Sequence, residues 1–283
     1  MFREITPIVV TYNSKHLLPN IQNNISLFNK FILVDNSQED SQKISDTLRD
    51  KCPNGVIIEA PFNLGYGAGN NLGMHQVETE FALVLNPDVS LDAQAVASML
   101  DVITRYPKAM VVGANVFNPT LNRFEKSFDW YYGLKGNKRS IVTKPTGEIS
   151  TMFLYGCCLL IRKNIFAEIG LFDENFFMYF EEYDIARRAI QKGYDVVLSN
   201  EAIVSHYSNT SSTYSLKVHW IKTLNNERSK RIFLTKYGYS KFSIVKKICL
   251  FFYNLTCALL SLIMVRPHKV VLYLARSISY IVK

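Results

Sequence analysis

The 283-residue chain predicts an α/β fold, a doubly wound sheet followed by a helical extension, and three features carry that prediction. Strand-like and helix-like segments alternate from residue 5 to residue 115, the pattern of a sheet wound with crossover helices. The run Phe81-Ala82-Leu83-Val84-Leu85 has no polar side chain and stops at Asn86-Pro87-Asp88, as a central strand buried on both faces does. Beyond residue 215 the alternation gives way to long apolar runs flanked by basic residues.

Taken in order, strands are expected at Ile5–Thr11, Phe31–Val34, Val56–Glu59, Phe81–Leu85 and Met110–Ala114, with helices near 14–25, 41–50, 67–77 and 92–105. Residues 118–150, rich in Asn, Lys, Gly and Thr, read as a long surface segment. A strand over Phe153–Ile161, a short helix, the aromatic run Phe176-Phe177-Met178-Tyr179-Phe180, a helix from about Glu181 to Lys192 and strands at 195–198 and 202–206 follow. In the tail, Ile248–Val265 is an 18-residue stretch without charge. As a helix it measures about 27 Å, marginal for a hydrocarbon core of about 30 Å. Arg266-Pro267-His268-Lys269 comes next, then a helix with Val271, Leu274, Ala275, Ile278 and Val282 on one face. Basic residues on both flanks favour in-plane or hairpin association with an anionic leaflet over a single span. The soluble alternative packs these helices on each other or across a homodimer.

Charge divides the chain the same way. Formal net charge is +8, yet no Asp or Glu follows Glu227, and residues 228–283 hold eleven of the 32 Lys and Arg. Subtracting these leaves 21 basic residues against 24 acidic ones, a mildly acidic body before a basic tail. Such a tail attracts nucleic acid as well, but apolar runs beside the charge suit a bilayer better than a phosphate groove, so no nucleic-acid partner is expected. Cys52, Cys157, Cys158, Cys249 and Cys257 show no C-x-x-C spacing, and the N-terminus lacks the apolar core of a signal peptide. A reducing, non-exported setting is therefore expected.

The candidate site residues gather at the C-terminal ends of the first strands, where open α/β sheets bind ligands. Asp88 reads either as a hard oxygen ligand for a divalent cation or as a turn residue before the next helix. Thr11, Tyr12 and Asn13 end the first strand and Asp35-Asn36-Ser37 the second, suiting hydrogen bonds to a base and ribose; Asp35 has the alternative of capping a turn. Asn63 to Gly73 is glycine-rich. A dinucleotide fingerprint fails there, because Asn70 stands where the third glycine belongs and the segment follows the third strand. A glycine turn at Gly65 could instead bring backbone N–H groups and Asn70 to a sugar diphosphate, or serve only the turn. Glu181, Glu182 and Asp184 lie together beside the aromatic run, where burial and like charge favour a general base; the helix dipole alone also favours acids at a helix start. His206 ends a strand as a metal or diphosphate ligand or as a structural imidazole.

In this order, VVTYN (9–13), VDNS (34–37), NLGYGAGNN (63–71), LNPD (85–88), GLFDENFFMYFEEYD (170–184) and SH (205–206) resemble family 2 glycosyltransferases of the GT-A fold, a Rossmann-like mixed sheet. The likeness spans roughly residues 5 to 206, and the rhamnosyltransferase-type members that build bacterial surface polysaccharides are most similar. It implies a catalytic domain over 1–215, with a nucleotide-sugar half to about 115 and an acceptor half after it, and a membrane-associating tail over 216–283. It implies inverting transfer of a sugar from a nucleoside diphosphate, L-rhamnose from dTDP first among the donors, onto a lipid-linked glycan at the cytoplasmic face of the membrane. UDP-linked galactofuranose, glucose or galactose are alternatives, as is a non-catalytic subunit of an assembly complex. By position, Thr11, Tyr12, Asn13, Asp35 and Asn36 fall at the nucleoside, Gly65, Asn70 and Asn86 at the donor diphosphate and sugar, Asp88 and His206 at Mg2+ or Mn2+, and Glu182 at the base. Asn86 replaces the first acid of the metal motif, and Glu182 is a longer arm than the usual Asp, so Glu181 or Asp184 could share its role.

Overall fold

The computed structural model describes residues 2–39, 44, 47–48, 54–125, 127–129, 148–207, 215–239 and 244–279. Most of the helix expected at 41–50, Cys52 and the middle of the 118–150 segment lie outside the described residues, as does Val282. The chain divides into two compact units, one of residues 1–173 and 181–211, the other of 174–180 and 212–283.

The first unit is the α/β body. Its strands are β1 (Ile5–Thr11), β2 (Phe31–Asp35), β3 (Gly55–Glu59), β4 (Phe81–Leu85), β5 (Val89–Ser90), β6 (Ala109–Asn118), β7 (Arg123–Phe124), β8 (Phe128–Asp129), β9 (Ile149–Ser150), β10 (Phe153–Leu154), β11 (Cys158–Arg162) and β12 (Asp195–His206). Its helices are α1 (Leu18–Ile25), α2 (Tyr66–Met74), α3 (Ala93–Arg105), α4 (Lys163–Glu168) and α5 (Glu181–Gln191).

The main sheet runs β3-β2-β1-β4-β11-β6-β12-β5. The first four strands are parallel, and β11 lies antiparallel between β4 and β6. The mixed, doubly wound sheet expected from the sequence is therefore present. Both faces are covered, so β4 alternates within a wholly apolar run. Phe81, Leu83 and Leu85 join the core containing Ile21 of α1 and Met99 of α3, while Ala82 and Val84 join the core containing Met74 of α2 and Phe166 of α4. Asp92 caps α3 by accepting from the Ala95 N–H at 2.8 Å.

Two expected boundaries change. The strand expected over Phe153–Ile161 is broken, with β10 pairing β8 in a separate small sheet and β11 entering the main one; Tyr155-Gly156-Cys157 forms the break. The strands expected at 195–198 and 202–206 are one strand, β12, with its register to β6 shifting between Ser199 and Ile203. Asn115 holds that irregularity, its Nδ2 donating to Asn200 O at 2.9 Å.

The second unit holds α6 (Leu216–Lys236), α7 (Ile244–Ile263) and α8 (Pro267–Ser279). The aromatic run packs inside this unit. Phe176 is buried with Lys236 Nζ 5.8 Å from its ring centroid, Phe180 meets Phe233 at 5.6 Å, and Ser229 Oγ donates to Met178 O at 2.8 Å. Phe176 and Phe180 thus serve as packing for α6.

Candidate active site

The chain reverses winding direction at β1, which pairs β2 on one side and β4 on the other. Open α/β sheets bind ligands past the strand ends at such a switch point, and the residues there are polar. Thr11 Oγ1 donates to Asp35 Oδ1 at 3.1 Å, and the N–H groups of Ser37 and Ile44 donate to Oδ1 and Oδ2 of the same carboxylate, each at 3.0 Å. Asp35 is buried and acts as the keystone of the loop after β2, the turn role that competed with nucleoside binding. Asn13 is left-handed at φ 52°, a conformation Asn tolerates, and its N–H donates to Ser37 Oγ at 2.8 Å. Tyr12, next to it, is 49% exposed.

Helix α2 lies close over these ends. A Cβ on Gly69 would stand 2.9 Å from Val10 Cγ1, and one on Gly73 2.5 Å from Ile8 Cγ2, so both glycines exist to let the helix touch the sheet. Gly65 at φ 81° makes the turn before the helix. Asn36 donates to Gly65 O at 3.2 Å and Asn70 to Tyr66 O at 3.0 Å. The amide oxygens of both are buried without a hydrogen-bond partner among the described residues. A buried acceptor in that state calls for a donor from a ligand or from water.

At the end of β4, Asp88 and His206 meet, with Asp88 Oδ1 3.2 Å from His206 Nε2 and both side chains buried. The antiparallel pairing of β5 with β12 places them so, in the register Ser205 to Ser90 and His206 to Val89. Two residues that the sequence did not single out set this turn. Asn20 Nδ2 donates to Pro87 O at 2.9 Å, and Asn24 Nδ2 donates to Val89 O at 2.6 Å while its Oδ1 accepts from the Leu91 N–H at 3.1 Å. The available signal was three asparagines in the eight-residue α1, since Asn is a weak helix former. One carboxylate and one imidazole suit Mn2+ better than Mg2+, which favours an all-oxygen shell. Two protein ligands also match a cation whose other positions are filled by substrate phosphates and water.

The acids at the start of α5 separate into distinct environments. Asp184 is fully buried and accepts from Arg188 Nε at 2.8 Å; the same guanidinium donates to the carbonyls of Ile169 and Leu171, both at 2.6 Å. Glu181 is buried, with its Cβ facing Gly67. Glu182 is half-buried and folds over Gly156, so closely that a Cβ there would stand 2.0 Å from its Oε1. Burial pushes its carboxyl up to about 7, against the pull of backbone hydrogen bonds from Glu182 itself and Gly156. Tyr66 donates its hydroxyl to the Gly156 carbonyl, and burial first, then Glu182 and Glu181, raises its phenol well above the ordinary value.

Gly156 links the two ends of the site. Its neighbour Cys157 accepts the Asn86 N–H at 2.9 Å, because antiparallel β11 begins where β4 ends. The Cys157 thiol is pushed up by burial, then by Cys158 and Asp88, and further by Glu182, so both charges reach it. Tyr155, one residue earlier, meets the His206 ring edge-on at 5.6 Å. Thus Tyr155-Gly156-Cys157, the break in the expected strand, lies between Asp88 with His206 on one side and Glu182 on the other.

Comparison with known proteins gives the family and the fold. The sequence pattern described as Glycosyl transferase family 2 matches residues 6–170, more than half of the chain. The low-salt glycan biosynthesis hexosyltransferase Agl10 of Haloferax volcanii is 27% identical over 212 residues, covering 69% of this chain and 64% of its own length. The N-acetylglucosaminyl-diphospho-decaprenol L-rhamnosyltransferase of Mycobacterium tuberculosis is 25% identical, covering 72% of this chain and 76% of its own. Among solved structures, the mannosyltransferase PcManGT from Pyrobaculum calidifontis, in complex with GDP-Man and Mn2+, superposes with a TM-score of 0.59 at 12% identity, over 99% of this chain and 71% of that one. The chain belongs to glycosyltransferase family 2 and carries its GT-A fold.

Proposed function

We propose that the protein transfers a sugar, with inversion, from a nucleoside diphosphate to a hydroxyl of a polyprenyl-diphosphate-linked glycan, at a membrane surface on the cytoplasmic side. The observation that carries this reading is Glu182, a carboxyl poised near neutral pH and packed on Gly156, one residue from the Cys157 carbonyl that takes the Asn86 N–H. A carboxylate raised to about 7 can accept a proton at physiological pH, which favours an enzyme over a purely binding subunit.

In this reading Tyr12 offers its exposed ring to the base, and Thr11, Asn13 and Asp35 hold the loop that frames the nucleoside. The unpartnered oxygens of Asn36 and Asn70 accept from donor hydroxyl or N–H groups, with Gly65 allowing close approach and Asn86 beside the diphosphate. Asp88 and His206 would hold Mn2+ or Mg2+, which supplies positive charge for the departing diphosphate. Glu182 takes the proton of the acceptor hydroxyl as that oxygen attacks the anomeric carbon from the side opposite the diphosphate. One displacement inverts the centre, and no covalent nucleophile is required. Glu181 raises the proton affinity of its surroundings, while Asp184 anchors Arg188 and does not share the base role.

The donor we favour is dTDP-L-rhamnose. Support comes from the likeness to the mycobacterial L-rhamnosyltransferase and from Asn86-Pro87-Asp88 in the metal motif. Side-by-side turnover of dTDP-rhamnose, UDP-galactofuranose, UDP-glucose and UDP-galactose with a polyprenyl-linked acceptor tests the choice. Preference for a UDP-sugar overturns the donor, and binding without turnover of any donor overturns the enzyme.

A further inference from the structure

Helix α7 is built inside out for a helix in water. Toward α8 it presents Asn254, Ala258 and Ser261, each no more than 6% exposed. Across that contact α8 offers Ala275 and Ser277, both buried, and Ser277 Oγ donates to Phe251 O at 3.3 Å. The outward stripe is Ile248, Phe252, Leu259 and Ile263, between 51% and 77% exposed, and Leu260, Leu262 and Val265 widen it. A water-soluble helix turns such residues inward and its serines and asparagines outward. Small residues at the helix contact with large apolar ones outside is the arrangement found where the surrounding solvent is hydrocarbon.

The charges at the ends of this face select its occupant. Lys246 and Lys247 precede the stripe, and Arg266 and Lys269 follow it. No Asp or Glu occurs after Glu227, so the tail of a second copy would bring only like charge to these lysines and arginines, whereas anionic headgroups pair with them.

Depth follows from the neighbouring helices. The rings of His219 and His268 are 5.5 Å apart, and Arg276 Nε donates to Glu227 Oε1 at 2.8 Å. Both pairs join α6 to α8 at the same sequence offset, so these helices run side by side in one direction. Were α7 to cross the bilayer, α8 would lie along it, and α6 along α8 would carry Lys222, Glu227, Arg228, Lys230 and Arg231 into the hydrocarbon. Length does not decide the matter, since Val245–Ile263 is long and apolar enough to span.

We infer that α7 lies in the plane of an anionic membrane surface, with its Ile248, Phe252, Leu259 and Ile263 stripe among the acyl chains and its flanking basic residues at headgroup level. The inference rests on the membrane-surface part of the proposed function and specifies its geometry; it does not use the nucleotide site. The test is flotation of the full-length protein with phosphatidylcholine vesicles, with and without phosphatidylglycerol, beside the double variant Leu259→Glu, Ile263→Glu. Binding should increase with phosphatidylglycerol, weaken in part with salt, and fall on the order of tenfold or more in the double variant at unchanged melting temperature. Depth is read from Ile248→Trp, Phe252→Trp, Leu259→Trp and Ile263→Trp, each made singly in a chain whose Trp130 and Trp220 are replaced by Phe, and quenched by brominated acyl chains. Equal shallow quenching at all four supports the in-plane helix. Deeper quenching at Phe252 and Leu259 than at Ile248 and Ile263 overturns it in favour of a span. A detergent-free dimer that ignores vesicles, and falls apart in the double variant, overturns it in favour of a second copy. Nucleotide-sugar binding, followed by thermal shift on the same samples, reports separately on the proposed donor site.

Discussion

Replacing Glu182 by Gln should damage the enzyme and stabilise the protein, and the two effects should follow the same pH scale. The carboxyl moves from 4.5 to about 7 on folding because burial disfavours its charge. The folded state therefore keeps this proton after the unfolded chain has lost it. Stability owed to the neutral carboxyl is fully present below 4.5, drains away as pH rises through 7, and is absent above that. At 1.36 kcal/mol per pH unit the loss at pH 8 is about 3 kcal/mol, and solvent access to the half-buried side chain trims it. Gln has nearly the same shape and no charge, so it avoids that loss. Melts of wild type and Glu182→Gln should coincide near pH 4.5 and part by roughly 5–10 °C at pH 8, taking about 2–4 °C per kcal/mol for a unit of this size. Over the same range wild-type kcat/KM should climb with a midpoint near 7, as the base becomes charged, and the variant should transfer about 10²–10⁴ times more slowly while still binding donor. Normal transfer by Glu182→Gln would refute the assignment of the base. An equal stability difference at pH 5 and pH 8 would refute the burial argument.

Other substitutions separate the remaining roles. Gly156→Ala should cut transfer by at least about tenfold with donor affinity retained, because its Cβ would occupy the space of Glu182 Oε1; single-turnover rates beside donor titrations check this. Asp184→Asn should lower stability by roughly 3–5 kcal/mol, since it strips the buried partner from Arg188, yet leave the rate per folded molecule within a few fold, as denaturant melts and active-site titration would report. Asp88→Asn should raise the Mn2+ concentration needed for half-maximal rate at least about tenfold, because a neutral amide is a poorer ligand for a hard cation, and unchanged metal dependence would remove Asp88 from that role. Gly73→Ala should cost about 1–3 kcal/mol in chemical denaturation by forcing α2 away from Ile8.

What the sequence disclosed, and what it hid, divides along the range of the interactions. β1 and β4 appear within their expected bounds because apolar runs closed by Thr11-Tyr12-Asn13 and Asn86-Pro87-Asp88 are local signals. The start of α3 is local too, with Asp92 capping it. The glycines offered either a ligand-approaching turn or a plain turn, and the close packing of Gly69 on Val10 and Gly73 on Ile8 was hidden because those partners lie more than 50 residues away in the chain. Asp35 could be placed at a strand end, but its saturation by Thr11, Ser37 and Ile44 depends on a neighbouring strand. Asn20 and Asn24 looked like ordinary helix surface, and only the return of β5 beside α1 gives them the Asp88 turn to hold. The packing of the aromatic run was not legible because its partner, Phe233 on α6, lies more than 50 residues further on.

The break at Tyr155-Gly156-Cys157 shows why a chain would interrupt a good strand. The run Phe153–Ile161 is apolar enough to pair throughout, and pairing throughout would give β10 and β11 one continuous edge. The Cys157 carbonyl, next in the register that pairs Cys158 with Leu85, takes the Asn86 N–H, which ties the break to the turn that carries Asp88. Gly156 then presents no side chain, and Glu182 fills the space a Cβ would need. Its carbonyl also takes the Tyr66 hydroxyl, so α2 is tied to the same point. Three elements, the turn that carries Asp88, the helix that carries Glu182 and the helix that follows Gly65, are thus fixed through one three-residue irregularity. A Cβ at Gly156 would displace the Glu182 carboxylate first, which is why substitution there is expected to reach the chemistry before it reaches the fold.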